Sequence, residues 1–184
     1  MLQLRFTYHE IIDLLKSFIG VSLIFWWVEG GLPILNYLPI IALFVGLGFI
    51  LHELAHKLMA SYYGYRAEYH SNDLMLLGSM FIAFFGIIFI APGAVLVEHI
   101  RNPKHLGIIS IVGPLTNIWL AVVCAAFIPL FSVARFGFEI NAWLALFNML
   151  PILGMDGEKV LKWSKLAFIL VLVLAAGLYL VQYI

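Results

Sequence analysis

Six apolar runs divide the chain: Phe18 to Val28, Leu38 to Leu51, Leu74 to Val97, Leu106 to Phe131, Ala142 to Leu153 and Leu166 to Ile184. Several reach or approach the roughly 20 residues that carry a helix across a hydrocarbon layer about 30 Å thick. Charged residues make up 11% of the sequence and hydrophobic ones 64%, where a soluble domain carries about a quarter charged residues. The chain is therefore expected to be an all-α polytopic membrane protein in contact with the lipid bilayer. A formal net charge of zero offers nothing to nucleic acid. The one cysteine, Cys124, lies inside an apolar run and has no partner for an intrachain disulfide. Glu10, Asp13 and Lys16 precede the first run and no small-residue cleavage site follows it, unlike a signal peptide. No repeat or linker divides the sequence, so one membrane domain, residues 1–184, is expected.

The positions of the basic residues distinguish two topologies. If the segment at about 64–97 dips into the membrane and returns, nine of the ten Lys and Arg residues share the cytoplasmic side with the N-terminus and only Arg135 lies outside. If that segment crosses, the division is five and five. The first topology gives five crossings, at about 17–29, 38–63, 106–131, 140–156 and 165–184. A re-entrant β-like hairpin, broken by Gly78, Gly86, Pro92 and Gly93, then lies between the second and third. Re-entrant backbone has to be shielded from lipid by protein or line a wet cavity. The Trp26–Trp27 pair suits an interfacial anchor. Gly46 and Gly48 suit close helix packing, and the Phe-rich stretch 81–89 suits packing.

Against this background FILHELAHKLMA, Phe49 to Ala60, is the anomaly. On a helix His52 and His56 face the same way and both imidazoles reach one metal ion, with Glu53 one step round. Zinc lowers the pKa of a water it holds, and Glu53 is placed to take the proton. Polar groups kept inside a membrane helix are functional by default. A catalytic zinc needs a third protein ligand, and the metzincin continuation is absent, since Tyr62 stands where its histidine would be. Candidates are His70, Glu98, His99, His105, Asp156 and Glu158. At 1.5 Å per residue His52 lies about 21 Å below the outer face when counted from Leu38. Asp156 lies about 22 Å below it when counted from Asn141. The match favours Asp156 and a centre nearer the cytoplasmic face, with His70 a rival. Glu98, His99 and His105 are expected at the inner surface.

Three motifs in this order resemble the site-2 proteases, a family of intramembrane zinc metalloproteases. HELAH, His52 to His56, resembles H-E-x-x-H. GPLTN, Gly113 to Asn117, resembles G-x-x-x-N in an intervening helix. NMLPILGMDG, Asn148 to Gly157, resembles N-x-x-P-x-x-x-x-D-G, whose aspartate is a zinc ligand. The resemblance implies one Zn2+ per chain on His52, His56 and Asp156, with Glu53 as the catalytic residue. It also implies a membrane-embedded β-like loop after the H-E-x-x-H helix. Ala55 and Glu158 stand where many relatives have glycine, and no PDZ or CBS domain is present. Asn117 and Asn148 have amides able to donate to a substrate carbonyl or an oxyanion, or to bond between helices. Pro151 breaks a helix so that Asp156 can turn to the metal, and Gly157 supports that turn.

The expected function is hydrolysis of peptide bonds in or near transmembrane segments of other membrane proteins, in regulated intramembrane proteolysis. The alternatives are a zinc transporter and a relative that binds without cutting. A transport path would want further ligands along the membrane, often in repeated halves. The sequence names neither the substrate nor the oligomeric state.

Overall fold

The computed structural model describes residues 4–183; Ile184, the expected end of the last run, lies outside the described residues. Helix α1 (Tyr8–Glu29) leads through a short 3-10 helix (Leu32–Tyr37) into α2 (Leu38–Tyr62). Strand β1 (Ala67–Ser71), helix α3 (Asp73–Ala83) and strand β2 (Gly93–Val97) follow. Helices α4 (Pro103–Phe127), α5 (Ala134–Asn148), α6 (Asp156–Trp163) and α7 (Lys165–Val181) complete the chain. The protein is mainly helical with one small two-stranded sheet. Three helical segments, Tyr8–Glu29, Leu32–Tyr62 and Pro103–Phe127, are long and apolar enough to cross a membrane.

Local chemistry sets the ends of these helices. Thr7 caps α1 by accepting from the Glu10 N–H, so the helix starts at Tyr8 rather than near residue 17 and includes Glu10, Asp13 and Lys16. Asn102 caps α4 in the same way, through the Lys104 N–H. Along α5 the ladder stops at Asn148, ahead of Pro151, and residues 149–155 form turns with Leu153 and Gly154 at positive φ. The expected crossing at 140–156 is therefore not one helix. Asn141 does not mark an outer end either: it is buried against Gly48, midway along α5, about two turns from each end of the helix. The depth count from Asn141 to Asp156 assumed continuous helix, so the turns at 149–155, not that count, place Asp156.

The segment 64–97 returns to the level it leaves. β1 and β2 are antiparallel, with Tyr69 opposite Val95 and His70 opposite Ala94. Glu98 N–H donates to Arg66 O at 3.0 Å, closing the hairpin next to the residues that open it. α1 serves as a ruler along this excursion. Tyr69 lies at Glu10, Asp73 at Lys16, Leu76 at Gly20, and Phe84 packs on Trp27 at 4.9 Å. The expected hairpin thus contains a full helix between its strands.

The main core joins α1, α2 and α5 through Val21, Phe25, Ile41, Val45, Ile140 and Leu144. The rings of the Phe-rich stretch divide between two surroundings. Phe81, Phe84 and Phe85 are exposed, and Phe89 is the member that packs inward, edge-on to Phe147 at 5.5 Å. An apolar face turned outwards suits lipid surroundings, where exposing phenyl rings carries no hydrophobic penalty.

Helix α6 returns to the beginning of α4, where Gly107 leaves room for the Trp163 ring, while Ser132 sits in the loop at the far end of α4. In a Cys124→Ala background, single cysteines at Asn102 and Lys162 are expected to react with an impermeant thiol reagent from one side of the membrane. A cysteine at Ser132 is expected to react from the other. Labelling of all three from one side would contradict a membrane-crossing α4.

Candidate metal centre

His52 and His56 lie on the buried face of α2, and Asp156 opens α6. Asp156 Oδ2 is 3.2 Å from His52 Nε2 and 3.0 Å from His56 Nε2, and the two imidazole nitrogens are 3.0 Å apart. These three residues are the group able to hold a metal ion among the described residues. Zinc held tetrahedrally at about 2.0–2.1 Å spaces its donors about 3.3 Å apart, so the set fits the ion with only slight outward movement.

The far sides of both rings are fixed. His52 Nδ1 meets Asn117 Oδ1 at 2.6 Å, and His56 Nδ1 meets the Ile109 carbonyl at 2.6 Å. An acceptor at Nδ1 holds the proton there and leaves the Nε2 lone pair facing the centre. The Asn117 amide is fully committed. Its Nδ2 donates to Gly48 O and to Asn141 Oδ1, each at 3.0 Å, and the residue is wholly buried. Asn141 is oriented in turn by its bond to Gly137 O. Asn117 therefore has no free donor for a substrate, because His52, Gly48 and Asn141 saturate it.

Helix α4 is shaped for this contact. Pro114 has no N–H to give the Ser110 carbonyl, which loosens the ladder locally. At Gly113 an added Cβ would stand 2.6 Å from His52 Nε2 and would also strike His56. The first and last residues of GPLTN thus serve the histidines, Gly113 by leaving space for both rings and Asn117 by accepting a hydrogen bond from His52.

Asp156 is presented by the turns after α5. Pro151 is exposed within them, and the Gly154 N–H is capped by Glu158 Oε2 at 2.8 Å. Gly157 packs against the Met149 backbone, where a Cβ would lie 2.8 Å from Met149 Cα and closer still to its carbonyl. Lys159, one turn along α6, brings its ammonium 3.5 Å from Asp156 Oδ1, the oxygen turned away from the histidines.

Glu53 is buried beside the histidines, and its Oε2 has no hydrogen-bond partner among the described residues. It faces a cavity of about 630 Å³ that also takes in Asn148, Lys159 and β2. The Asn148 amide donates to Leu144 O at 3.0 Å and keeps its oxygen and second hydrogen. His70 lines the cavity without joining the metal-binding group, so it does not displace Asp156. His105 lies at the start of α4, stacked on Tyr63 at 4.1 Å and bonded to Tyr65 OH. His99 and Glu98 are exposed beyond β2.

Sequence reasoning missed Asn141, the Ile109 carbonyl and Lys159. Asn141 carried a signal: it lies seven residues before Asn148, hence on the same face of a helix, in an otherwise apolar run. A backbone carbonyl leaves no trace in the sequence.

Paired histidines on one helix and a distal aspartate, with an unpartnered glutamate between them, form the donor set and base of a metalloprotease-type centre. A relative's name agrees with that class. Over 176 residues, 91% of each chain, the sequence is 40% identical to a Methanocaldococcus jannaschii protein named "Putative zinc metalloprotease MJ0611". The chain belongs to the family of that zinc metalloprotease. No family model matches it and no solved structure matches it.

Loss of the Asn117 acceptor should lower zinc affinity by about 10–100-fold. Asn117→Ala is expected to show this in a competition titration with a chromophoric chelator. Gly113→Ala should lose zinc as well, because the methyl group displaces both imidazoles. Normal zinc affinity in both variants would contradict the geometry.

Proposed function

We propose that this chain is an intramembrane zinc endopeptidase of the site-2 protease type, cutting peptide bonds in or near transmembrane segments of other membrane proteins. His52, His56 and Asp156 hold one zinc ion, and Glu53 is the catalytic residue. The carrying observation is the buried, unpartnered Glu53 Oε2 facing the cavity beside that donor set. The chain crosses the bilayer five times with a cytoplasmic N-terminus, and α5, the turns and α6 together make the fourth crossing. The bias of basic residues supports this orientation and a centre nearer the cytoplasmic face.

Zinc held by His52, His56 and Asp156 would supply Lewis acidity towards water and the scissile carbonyl. Glu53 takes the proton from the attacking water and returns it to the departing amine, roles open to a carboxylate with a free oxygen in hydrogen-bond reach. Asn148, with amide hydrogen to spare, donates to the carbonyl oxygen as negative charge develops on it. Lys159 holds Asp156 Oδ1, which keeps Oδ2 turned to the metal. A transmembrane helix presents no free carbonyl, so the segment has to unwind first.

The sheet supports capture of the unwound segment. Asn72 N–H donates to Pro92 O and Glu98 N–H to Arg66 O, which marks alternate positions as hydrogen-bonded pairs. At Gly93, Val95 and Val97 the backbone groups therefore point to the open edge of β2. Val95 and Glu53 line the same cavity. A substrate added at that edge by β-augmentation lies along the cavity. Transport is less well supported, because a single metal-capable cluster is present among the described residues.

Glu53→Gln is expected to lower cleavage of a tagged single-pass membrane substrate by about 10²–10⁴-fold while leaving bound zinc at the wild-type level by metal analysis. A chelator should abolish wild-type cleavage, and added zinc should restore it. Cleavage that survives both treatments would refute the proposal.

A further inference from the structure

The second edge of the sheet is closed in an unusual way. β1 has β2 on one side and helix α1 on the other, where no strand lies. Two of the outward N–H groups of β1 donate to carboxylates instead: Tyr69 to Glu10 Oε1 at 3.0 Å and Ser71 to Asp13 Oδ2 at 3.1 Å. These are the positions whose partners on β2, Val95 and Gly93, stand on the open edge. Two side chains of α1 thus take the place of a third strand, and the edge beside the cavity is left free.

Glu10 is the centre of this arrangement. It is buried at 1% exposure, and Lys57 Nζ approaches its two oxygens at 2.6 and 2.5 Å. Lys57 is itself buried and lies under the Phe6 ring at 4.1 Å. It follows His56 directly on α2. Glu10 therefore links α1, the metal-binding helix and β1 through one carboxylate. Tyr69 reinforces the link, with its hydroxyl donating to Ser17 Oγ at 2.8 Å and its ring edge-on to Phe49 at 5.8 Å. Neither Glu10 nor Lys57 lines the cavity. A buried ion pair contributes little net stability compared with apolar residues of the same volume, so its value here is geometric.

We propose that Glu10 is a positioning residue that fixes the register of the sheet against α2, so that the open edge of β2 sets a substrate strand in one alignment with Glu53. The role rests on the proteolytic reading of the site. Removing one partner alone would leave a buried charge unpaired, so the test compares two double variants. Glu10→Gln with Lys57→Met removes both charges and keeps an oxygen for the Tyr69 N–H. Glu10→Met with Lys57→Met removes the oxygen as well.

Two readouts are needed: hydrogen exchange at Tyr69 and Val95 in the full chain with zinc loaded, and the cleavage position in a tagged membrane substrate by mass spectrometry. The Gln variant is expected to keep wild-type exchange and a single cleavage position. The Met variant should exchange roughly tenfold faster at Tyr69 and cut at scattered positions, with zinc content and α4 protection unchanged. Wild-type exchange and a single cleavage position in the Met variant would overturn the proposal, leaving Glu10 as no more than a counter-ion for Lys57. If the wild type binds zinc and cuts nothing, the proteolytic reading fails, while the exchange at Tyr69 still decides whether Glu10 docks the sheet.

Discussion

The amide of Asn117 joins the three helices on which the site depends. It accepts from His52 of α2, and it donates to Gly48 O on the same helix and to Asn141 on α5. In surroundings without water an unpaired amide is costly, so the three helices meet in the one arrangement that satisfies all of these groups. Gly48 has to be glycine for this to close, since a Cβ there would lie 2.7 Å from Asn141 Oδ1. The same constraint that packs the helices also fixes the tautomer of a metal-binding histidine. Folding and site formation are here one event.

A second polar joint, Glu10 with Lys57 and Tyr69, does for the hairpin what Asn117 does for the helices. An isolated two-stranded sheet is marginal at best, and this one is secured by side chains of α1 on its closed edge. Its open edge is left beside Glu53, where a free edge serves binding. Elsewhere such an edge is a liability for aggregation. The cavity is walled by backbone on one side and by the donor set on the other, which is the geometry a peptide main chain requires.

The outer surface obeys a different rule. Rings such as Phe81, Phe84 and Phe85 face outwards while Glu10, Lys57, Asn117 and Asn141 are buried. In water this distribution would be inverted. It is consistent where lipid surrounds the protein and polar groups can be satisfied only by one another. Lys16 with Asp73, and Arg135 with Glu139, are more exposed ion pairs and add little to stability.

The sequence by itself determined the membrane character of the chain, through its apolar runs. It also singled out His52, Glu53 and His56, because helical periodicity puts the two histidines on one face whatever the rest of the fold does. A break in the segment 64–97 was legible too, in the glycines and proline that interrupt its run, and the structure pairs its two ends as antiparallel strands. Only the tertiary structure decided how Asp156 reaches the histidines. That depends on a chain reversal at 149–155, which a count of helical rise cannot represent. It also decided that Asn117 serves His52 and not a substrate, that Asn141 stands behind it, and that the Ile109 carbonyl orients His56. Contacts between residues tens of positions apart, some made by backbone atoms common to every residue type, are set by packing and leave no local pattern in the sequence.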